Sequence, residues 1–257
     1  SSSGVEEMAS TWGTFTRVPS GFLRYTKVKN LPDDWGNIEV IEDGAFEASR
    51  VSFIPLVWGK VHTIGNRAFA ETGISVFPDD FSDMTIKDQA FADCRNIEEL
   101  PRGILYVPAE QLGGDLFRGC SIREVRGDWG TLKFIPHGFL RYNPLFTIPE
   151  KWGSVVSIQS DAFYECFLNK IPDDWENVKI VQSGAFSTNR IKRVPDDFSG
   201  IDSLGAGAFS YNMIENVPDM KRDYSFGNAF GDQWDATSNR SSYSFDEEIF
   251  NDDDLYY

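Results

Sequence analysis

The chain has 257 residues, of which 41% are hydrophobic and 14% aromatic, and its formal net charge is −16. This length and apolar content are enough for a substantial core and argue against global disorder. The negative charge repels phosphate backbones and anionic lipid, which makes nucleic acids and membrane surfaces poor candidates as partners. No apolar run approaches the roughly 18 residues that a membrane helix needs.

A unit of about 23 residues recurs along the chain. Its most regular mark is a phenylalanine, found at Phe22, Phe46, Phe69, Phe91, Phe117, Phe139, Phe163, Phe186, Phe209 and Phe230. A second aromatic series runs in phase with the first, at Trp12, Trp35, Trp58, Phe81, Trp129, Trp152, Trp175 and Phe198. A unit of this length cannot bury its own apolar face, but stacked copies can. The sequence therefore predicts stacked coils with both aromatic series inside.

Within a unit, the expected elements follow in a constant order. A first strand is predicted at 37–42, 60–65 and 177–182, where β-branched residues are separated by polar ones. A second strand is predicted at 73–78 and 190–195, and its final proline stops the ladder because proline has no N–H to donate. An Asp-Asp pair then forms the corner in several units. The predicted fold is a repeat solenoid, mainly β with short helical or 3-10 turns, of about nine to ten coils.

A longer period is superimposed on the unit. "WGT" at 12–14 returns at 129–131, and "GFLRY" at 21–25 returns at 138–142. Both pairs indicate that a block of five units was duplicated, with an irregular join at 100–128. The predicted organisation is a lead at 1–11, a solenoid at 12–220 in two five-coil blocks (12–128 and 129–220), and a last partial coil with an acidic aromatic tail at 221–257.

Most chemistry-bearing residues have a structural interpretation. Cys94, Cys120 and Cys166 each follow a core phenylalanine by three residues, as small buried side chains would; a bridge between Cys94 and Cys120 stays open. His62 and His137 occupy unlike places in their units, so no catalytic arrangement can be built on them. No enzymatic activity and no cofactor are predicted. The predicted structural core is Trp35, Phe46, Trp58, Phe69, Phe91, Phe163, Trp175, Phe186 and Phe209.

Two features leave alternatives open. The acidic corners are either solvated turns or a row of calcium ligands, at Asp33, Asp34, Asp79, Asp80, Asp173, Asp174, Asp196 and Asp197. The tail carries aromatic residues among acids and is predicted to cover the last coil, to bind a neighbouring molecule, or to stay free. Its candidate partner-binding residues are Phe245, Phe250, Tyr256 and Tyr257.

Three stretches resemble the BspA-like leucine-rich repeats: "IGNRAF" (64–69), "IKDQAFADCRNIEELP" (86–101) and "AFYECFLNKIP" (162–172). That family's unit runs Ile-Gly-x-x-Ala-Phe-x-x-Cys-x-x-Leu-x-x-Ile-x-Ile-Pro, and the resemblance covers roughly residues 12–220. The tryptophan series departs from the family pattern, and the segment before the proline is often shorter here. The resemblance implies a right-handed solenoid with surface-exposed or secreted adhesive roles, and it assigns no catalytic residue.

The function expected from these features is a non-enzymatic protein-binding or adhesion module displayed outside the cell, with a protein or a surface glycan as partner. The alternative is a structural subunit of an extracellular filament, fibre or coat, because a solenoid has two open ends through which copies can associate. Neither expectation involves nucleic acid or membrane insertion.

Overall fold

The structure is a computed structural model that describes residues 11–173, 175, 177–217 and 228–233. Within these residues the chain forms a β-solenoid, which confirms the predicted fold class. Eight described coils each contribute a two-residue strand: β1 (Arg17–Val18), β2 (Val40–Ile41), β3 (Thr63–Ile64), β4 (Thr85–Ile86), β5 (Phe134–Ile135), β6 (Ser157–Ile158), β7 (Ile180–Val181) and β8 (Ser203–Leu204).

The strands form two parallel four-stranded sheets, ordered β1-β2-β3-β4 and β5-β6-β7-β8. The pairing is parallel because every coil crosses this side of the solenoid in the same direction. Ile41 pairs with Ile64 and Ile64 pairs with Ile86, so the second residue of each strand lies over its equivalent. These second residues are buried, while the first ones face outward.

The join between the sheets contains two 3-10 helices, Arg102–Tyr106 and Ala109–Gln111, in place of a strand. Proline precedes each helix, and the sheet continues here only as a single bridge from Ile86 to Leu112. Gly103 fits because it has no side chain: a Cβ there would collide with the carbonyl oxygen of Asp79. The irregular stretch that the sequence indicated is therefore a local change of coil geometry.

The interior is filled by rings stacked from coil to coil. The centroid distance is 5.0 Å between Phe46 and Phe69 and 5.2 Å between Phe186 and Phe209. In the tryptophan series, the Nε1 of Trp35 donates to the carbonyl oxygen of Pro32 at 2.7 Å, which closes the corner at 32–35, whereas the Nε1 of Trp175 makes no hydrogen bond in the described structure. Burying one such aromatic side chain contributes about 1.5–3 kcal/mol, and repetition gives a continuous core.

The backbone around each stacked ring has an unusual conformation. Two residues before and two after the ring, φ is positive: Gly44 (61°) and Ala48 (52°) flank Phe46, and Arg67 (52°) and Glu71 (58°) flank the next ring. This alternation turns every second N–H towards the following coil, as in the bond from Phe46 N to the carbonyl oxygen of Ala68 at 2.8 Å. These bonds offset the steric cost of positive φ at residues other than glycine.

The interior position of the first coil belongs to Leu23, so the prediction that aligned Phe22 with the other rings was wrong by one residue. Leu23 N donates to the carbonyl oxygen of Ala45 at 2.7 Å, the pattern that Phe46 makes one coil later, and Phe22 is 44% exposed. In the second block, Leu140 makes the equivalent bond, and Phe139 is buried beside it. The reason is local: "GFLRY" places two large apolar residues in succession, and only the hydrogen-bond register distinguishes them.

Candidate binding face

A polar ladder lies inside the solenoid, three residues after each interior ring position. Its described members are Thr26, Ser49, Thr72, Cys94, Cys120, Asn143, Cys166, Asn189, Asn212 and Gln233. Several of these side chains donate to a carbonyl oxygen of the preceding coil: Cys94 Sγ to Phe69 at 3.0 Å and Asn189 Nδ2 to Phe163 at 2.8 Å. The ladder thus provides hydrogen-bond partners for buried carbonyl groups at and just after each ring position.

The three cysteines are free thiols within this ladder, so the bridge between Cys94 and Cys120 that the sequence left open is not formed. Burial raises the pKa of Cys94 to about 11 and that of Cys166 to about 12, and it raises the pKa of Cys120 as well. A thiol becomes a nucleophile only as the thiolate. These positions are therefore structural.

Sequence reasoning missed the three asparagines of the ladder. Asn143, Asn189 and Asn212 are fully buried or nearly so, and each amide both donates to carbonyl oxygens and accepts a backbone N–H. The signal was available, because these asparagines stand at the same place after the ring as the cysteines. At this position an asparagine amide donates to a carbonyl oxygen of the preceding coil as a cysteine thiol does, and its oxygen also accepts a backbone N–H.

No catalytic or metal centre emerges from the candidate residues. His62 is exposed and its Nδ1 lies 2.9 Å from the hydroxyl of Thr63, whereas His137 is exposed in another coil. Within the described ranges, no group of three or more His, Cys, Asp or Glu side chains is close enough to hold a metal ion. None of the helices described is long and apolar enough to cross a bilayer.

The acidic corners have a local structural explanation. The second aspartate of a corner accepts the N–H of the residue two positions ahead: Asp34 from Gly36 at 2.9 Å, and Asp80 from Ser82 at 2.9 Å. Asp197 does the same with Ser199, and hydrogen bonding from these serine N–H groups lowers the pKa of Asp80 and Asp197. The first aspartates are exposed at Asp33, Asp79, Asp173 and Asp196; Asp174 lies outside the described residues, as do Phe245, Phe250, Tyr256 and Tyr257.

A second ladder of parallel backbone bonds runs along another side of the solenoid. In most coils the residues four and six positions after the ring point outward there; in the coil of Phe91 the sixth, Ile97, is buried. The bonds of this ladder include Phe146 N to the carbonyl oxygen of Arg123 at 2.8 Å and Arg190 N to that of Leu168 at 2.9 Å. The second face is the surface formed by the outward side chains of this ladder. It also includes, in each coil, the exposed residue that comes next in the sequence. Its cations are Lys27, Lys29, Arg50, Arg95, Arg123, Lys170, Arg190, Lys192 and Arg193, and its carboxylates are Glu98, Glu99, Glu124 and Glu215.

The charge of the second face is opposite to that of the whole chain, which has 40 acidic residues against 24 Lys and Arg. Aromatic side chains lie among the cations: the rings of Phe146 and Phe167 are 5.7 Å apart, and the guanidinium of Arg190 lies 4.5 Å over the ring of Phe167. Phe146 is 41% exposed. We call this cluster the aromatic-basic patch: Arg123, Phe146, Phe167, Arg190 and Lys192.

The cations of the patch form no ion pair with the described part of the chain. Among the residues that the structure describes, no carboxylate lies within 4.0 Å of the charged groups of Arg123, Arg190 or Lys192, although they belong to an acidic protein. By contrast, the neighbouring Lys170 lies 3.4 Å from Glu150 and Arg193 lies 4.0 Å from Asp196. Three such cations, in the coils on either side of those that carry the exposed ring of Phe146 and the half-buried ring of Phe167, can bind an acidic ligand through ion pairs and ring contacts.

A second exposed cluster lies in the first half of the solenoid, where one corner departs from the repeat. Leu56 and Val57 stand where other corners carry two aspartates, and Val57 is 77% exposed. Phe53 and Val76 are also exposed nearby on the second face. Exposed apolar side chains that gather in one region of a surface are typical of contact surfaces.

The fold and these surfaces define a class of protein: a solenoid of short repeats that presents an extended face. A family model described as BspA type leucine rich repeat region matches residues 16–143 and 142–230, in six copies. The chain therefore belongs to the BspA-type leucine-rich repeat family, as its sequence motifs indicated. This family suggests a protein-binding or adhesion repeat module. Neither a curated protein nor a solved structure matches the chain significantly.

Proposed function

We propose that this chain is a non-enzymatic binding module displayed outside the cell, and that it binds an acidic protein through its second face. The observation that carries the proposal is the aromatic-basic patch. In it Arg123, Arg190 and Lys192 lack ion pairs with the described carboxylates, and the exposed ring of Phe146 lies against the half-buried ring of Phe167. An acidic protein gains little solubility from such a cluster. A partner with acidic and aromatic or aliphatic groups complements it.

The geometry of the solenoid supports this use. Backbone bonds between coils hold Phe146 next to Arg123 and Arg190 next to Leu168, so the patch is carried on packed coils rather than on a loop. A pre-organised surface loses little conformational entropy on binding, which favours affinity. The exposed Leu56 and Val57 provide a second contact on the same elongated molecule.

Display outside the cell is proposed from membership of the family, because the resemblance implies surface-exposed or secreted adhesive roles. It can be tested separately from binding. Antibodies raised against the purified solenoid should label intact producing cells, and protease added outside those cells should remove the label. Labelling that requires permeabilised cells would contradict display.

The binding proposal can be tested on an array of purified extracellular proteins and glycans. We expect the parent chain to bind acidic members of the array, and Arg190→Glu/Lys192→Glu to lose that binding. The matched control is Lys60→Glu/Lys133→Glu, which reverses two exposed charges outside the second face and should bind like the parent. Equal binding by both variants would show that the patch is not the site.

A second candidate function is a structural subunit that assembles through the ends of the solenoid. One observation favours it: β1 is the outermost described strand at the first end of the solenoid and pairs only with β2, and the first coil exposes Phe15 (64%) and Phe22. Light scattering across a concentration series tests this function. Assembly that Phe15→Ser/Phe22→Ser abolishes would support it, and a monomer at all concentrations would reject it.

A further inference from the structure

We propose that the chain's own acidic segment, residues 241–257, occupies the aromatic-basic patch and competes there with the external ligand. This inference rests on the proposed function, because it assigns the occupant and the regulation of the same patch. The segment reads "SSYSFDEEIFNDDDLYY" and contains six carboxylates, five aromatic residues and no Lys or Arg. It therefore has the two kinds of group that the patch is suited to bind.

The complementarity holds group by group. Arg123, Arg190 and Lys192 have no ion pair with a described carboxylate, and the runs at 246–248 and 252–254 are all acidic. The exposed ring of Phe146 and the ring of Phe167 offer a surface on which aromatic side chains such as Phe245 or Phe250 can pack. Charge-assisted pairs and ring contacts together then hold the segment.

Gln233, the last residue that the structure describes, lies directly before the sequence position at which other coils enter the second face. Gln233 is the last described member of the polar ladder: its Nε2 donates to Phe209 at 3.0 Å, and its Oε1 accepts the N–H of Ile214 at 3.2 Å. In the preceding coils, the residue directly after a ladder member is the first residue of the second face, as Arg190 follows Asn189. By analogy with those coils, the proposal has the continuing chain leave the ladder on the side of the patch.

The length of the chain is sufficient for the segment to reach the patch. Gln233 lies two coils beyond Arg190 and Lys192, a separation of about 10 Å at the usual strand spacing, and five coils beyond Arg123, about 24 Å. The residues from 233 to 241 can span up to about 28 Å when extended. The acidic segment thus reaches the whole patch within one molecule. The effective concentration of a segment on so short a connection is millimolar, so its own chain outcompetes a neighbouring copy in dilute solution.

The test uses the full chain, a chain that lacks residues 241–257, and a fluorescent synthetic peptide of residues 241–257 as the probe. We expect the shortened chain to bind the peptide, and the full chain to bind it at least about tenfold more weakly because its own segment competes. In the shortened chain, Arg190→Glu/Lys192→Glu should abolish peptide binding, while Lys60→Glu/Lys133→Glu should preserve it. Equal binding by the full and shortened chains would overturn the proposal, and so would binding that survives Arg190→Glu/Lys192→Glu.

A second measurement does not depend on the folding of any variant. Zero-length carbodiimide crosslinking of the full chain should join Lys192 to a carboxylate of 246–254, in a product that migrates as a monomer. The same crosslink found only in a dimer would assign the segment to a neighbouring copy and overturn the intramolecular proposal. The array experiment separates the two hypotheses: a patch that binds external proteins but not the peptide rejects the segment as occupant and leaves the binding function standing.

Discussion

The side-chain amide of Asn189 joins its coil to the preceding one, because its Nδ2 donates to the carbonyl oxygen of Phe163 at 2.8 Å. The same nitrogen donates to Phe186 at 3.1 Å, and the Oδ1 accepts the N–H of Leu168 at 3.0 Å. Asn189 is fully buried, so solvent does not reach these groups. One side chain thus satisfies three backbone groups in the interior.

We expect Asn189→Ala to lower the free energy of unfolding by about 2–4 kcal/mol, because each buried backbone group left without a partner costs about 1–3 kcal/mol. Urea unfolding followed by circular dichroism measures the change. Asn169→Ala, which alters an exposed asparagine in the preceding coil, is the matched control and should shift the midpoint little. Asn189→Cys should be milder than Asn189→Ala, since Cys166 occupies the equivalent position. Equal midpoints for Asn189→Ala and Asn169→Ala would contradict the ladder.

The register of the first coil predicts opposite consequences for two adjacent residues. Leu23→Ala should cost about 2–5 kcal/mol because it empties a buried interior position. Phe22→Ala should cost less than about 1.5 kcal/mol, since its ring is 44% exposed and lies against Trp12 at a centroid distance of 6.0 Å. Phe69→Ala, in the third coil, should cost about 3–5 kcal/mol. If urea unfolding showed a larger loss of free energy of unfolding for Phe22→Ala than for Leu23→Ala, Phe22 and not Leu23 would occupy the interior position of the first coil.

The buried thiols should be inert in the native protein. Because burial holds the pKa of Cys94 near 11 and that of Cys166 near 12, almost no thiolate exists at pH 8. We expect iodoacetamide to label none of the three cysteines at pH 8 within a time that labels all of them in urea, as read by mass spectrometry. Rapid labelling of Cys94 in the native chain would contradict its burial, because the reagent would have reached the thiol in the folded protein.

The same shift gives stability a pH dependence. The folded chain keeps the Cys94 proton up to a pKa of about 11, whereas the ordinary pKa is 9.0, so the unfolded chain loses the proton first. The stabilisation is therefore complete below pH 9 and is lost as the pH rises from there towards 11. Cys94→Thr, which copies the side chain of Thr72 in the preceding coil, should lose less stability between pH 8 and pH 10.5 than the parent. If the stability of the parent and of Cys94→Thr fell equally with pH, the raised pKa of Cys94 would be contradicted.

Calcium should not stabilise the solenoid. Asp34, Asp80 and Asp197 use a carboxylate oxygen to accept a backbone N–H, and the described residues contain no cluster of ligands for a metal ion. We expect the same melting temperature in EDTA and in millimolar calcium, measured by differential scanning fluorimetry. Magnesium serves as the control for ionic strength. A melting temperature that rises with calcium but not with magnesium would show that the aspartates of the acidic corners bind calcium.

The fold was predictable because the repeat appears in the linear sequence at every coil. Phenylalanine and tryptophan recur at an almost constant spacing, and a unit too short to bury its own apolar side has to stack. Pro-Asp-Asp corners and β-branched pairs such as Val40–Ile41 mark the turns and strands locally. Each of these signals acts within one unit, so no long-range information was needed.

Only the tertiary structure decided which of two adjacent residues faces inward and where the charges gather. Arg67 and Glu71 adopt positive φ although neither is a glycine, so the sequence does not mark this backbone conformation. As a result, the directions of the side chains after the ring follow neither the period of a strand nor that of a helix. The aromatic-basic patch is assembled from Arg123, Phe146, Phe167 and Arg190, which lie in successive coils and become neighbours only when the coils stack. Composition gives a net charge of −16 for the whole chain, whereas only the stacked coils show that one face carries more cations than carboxylates.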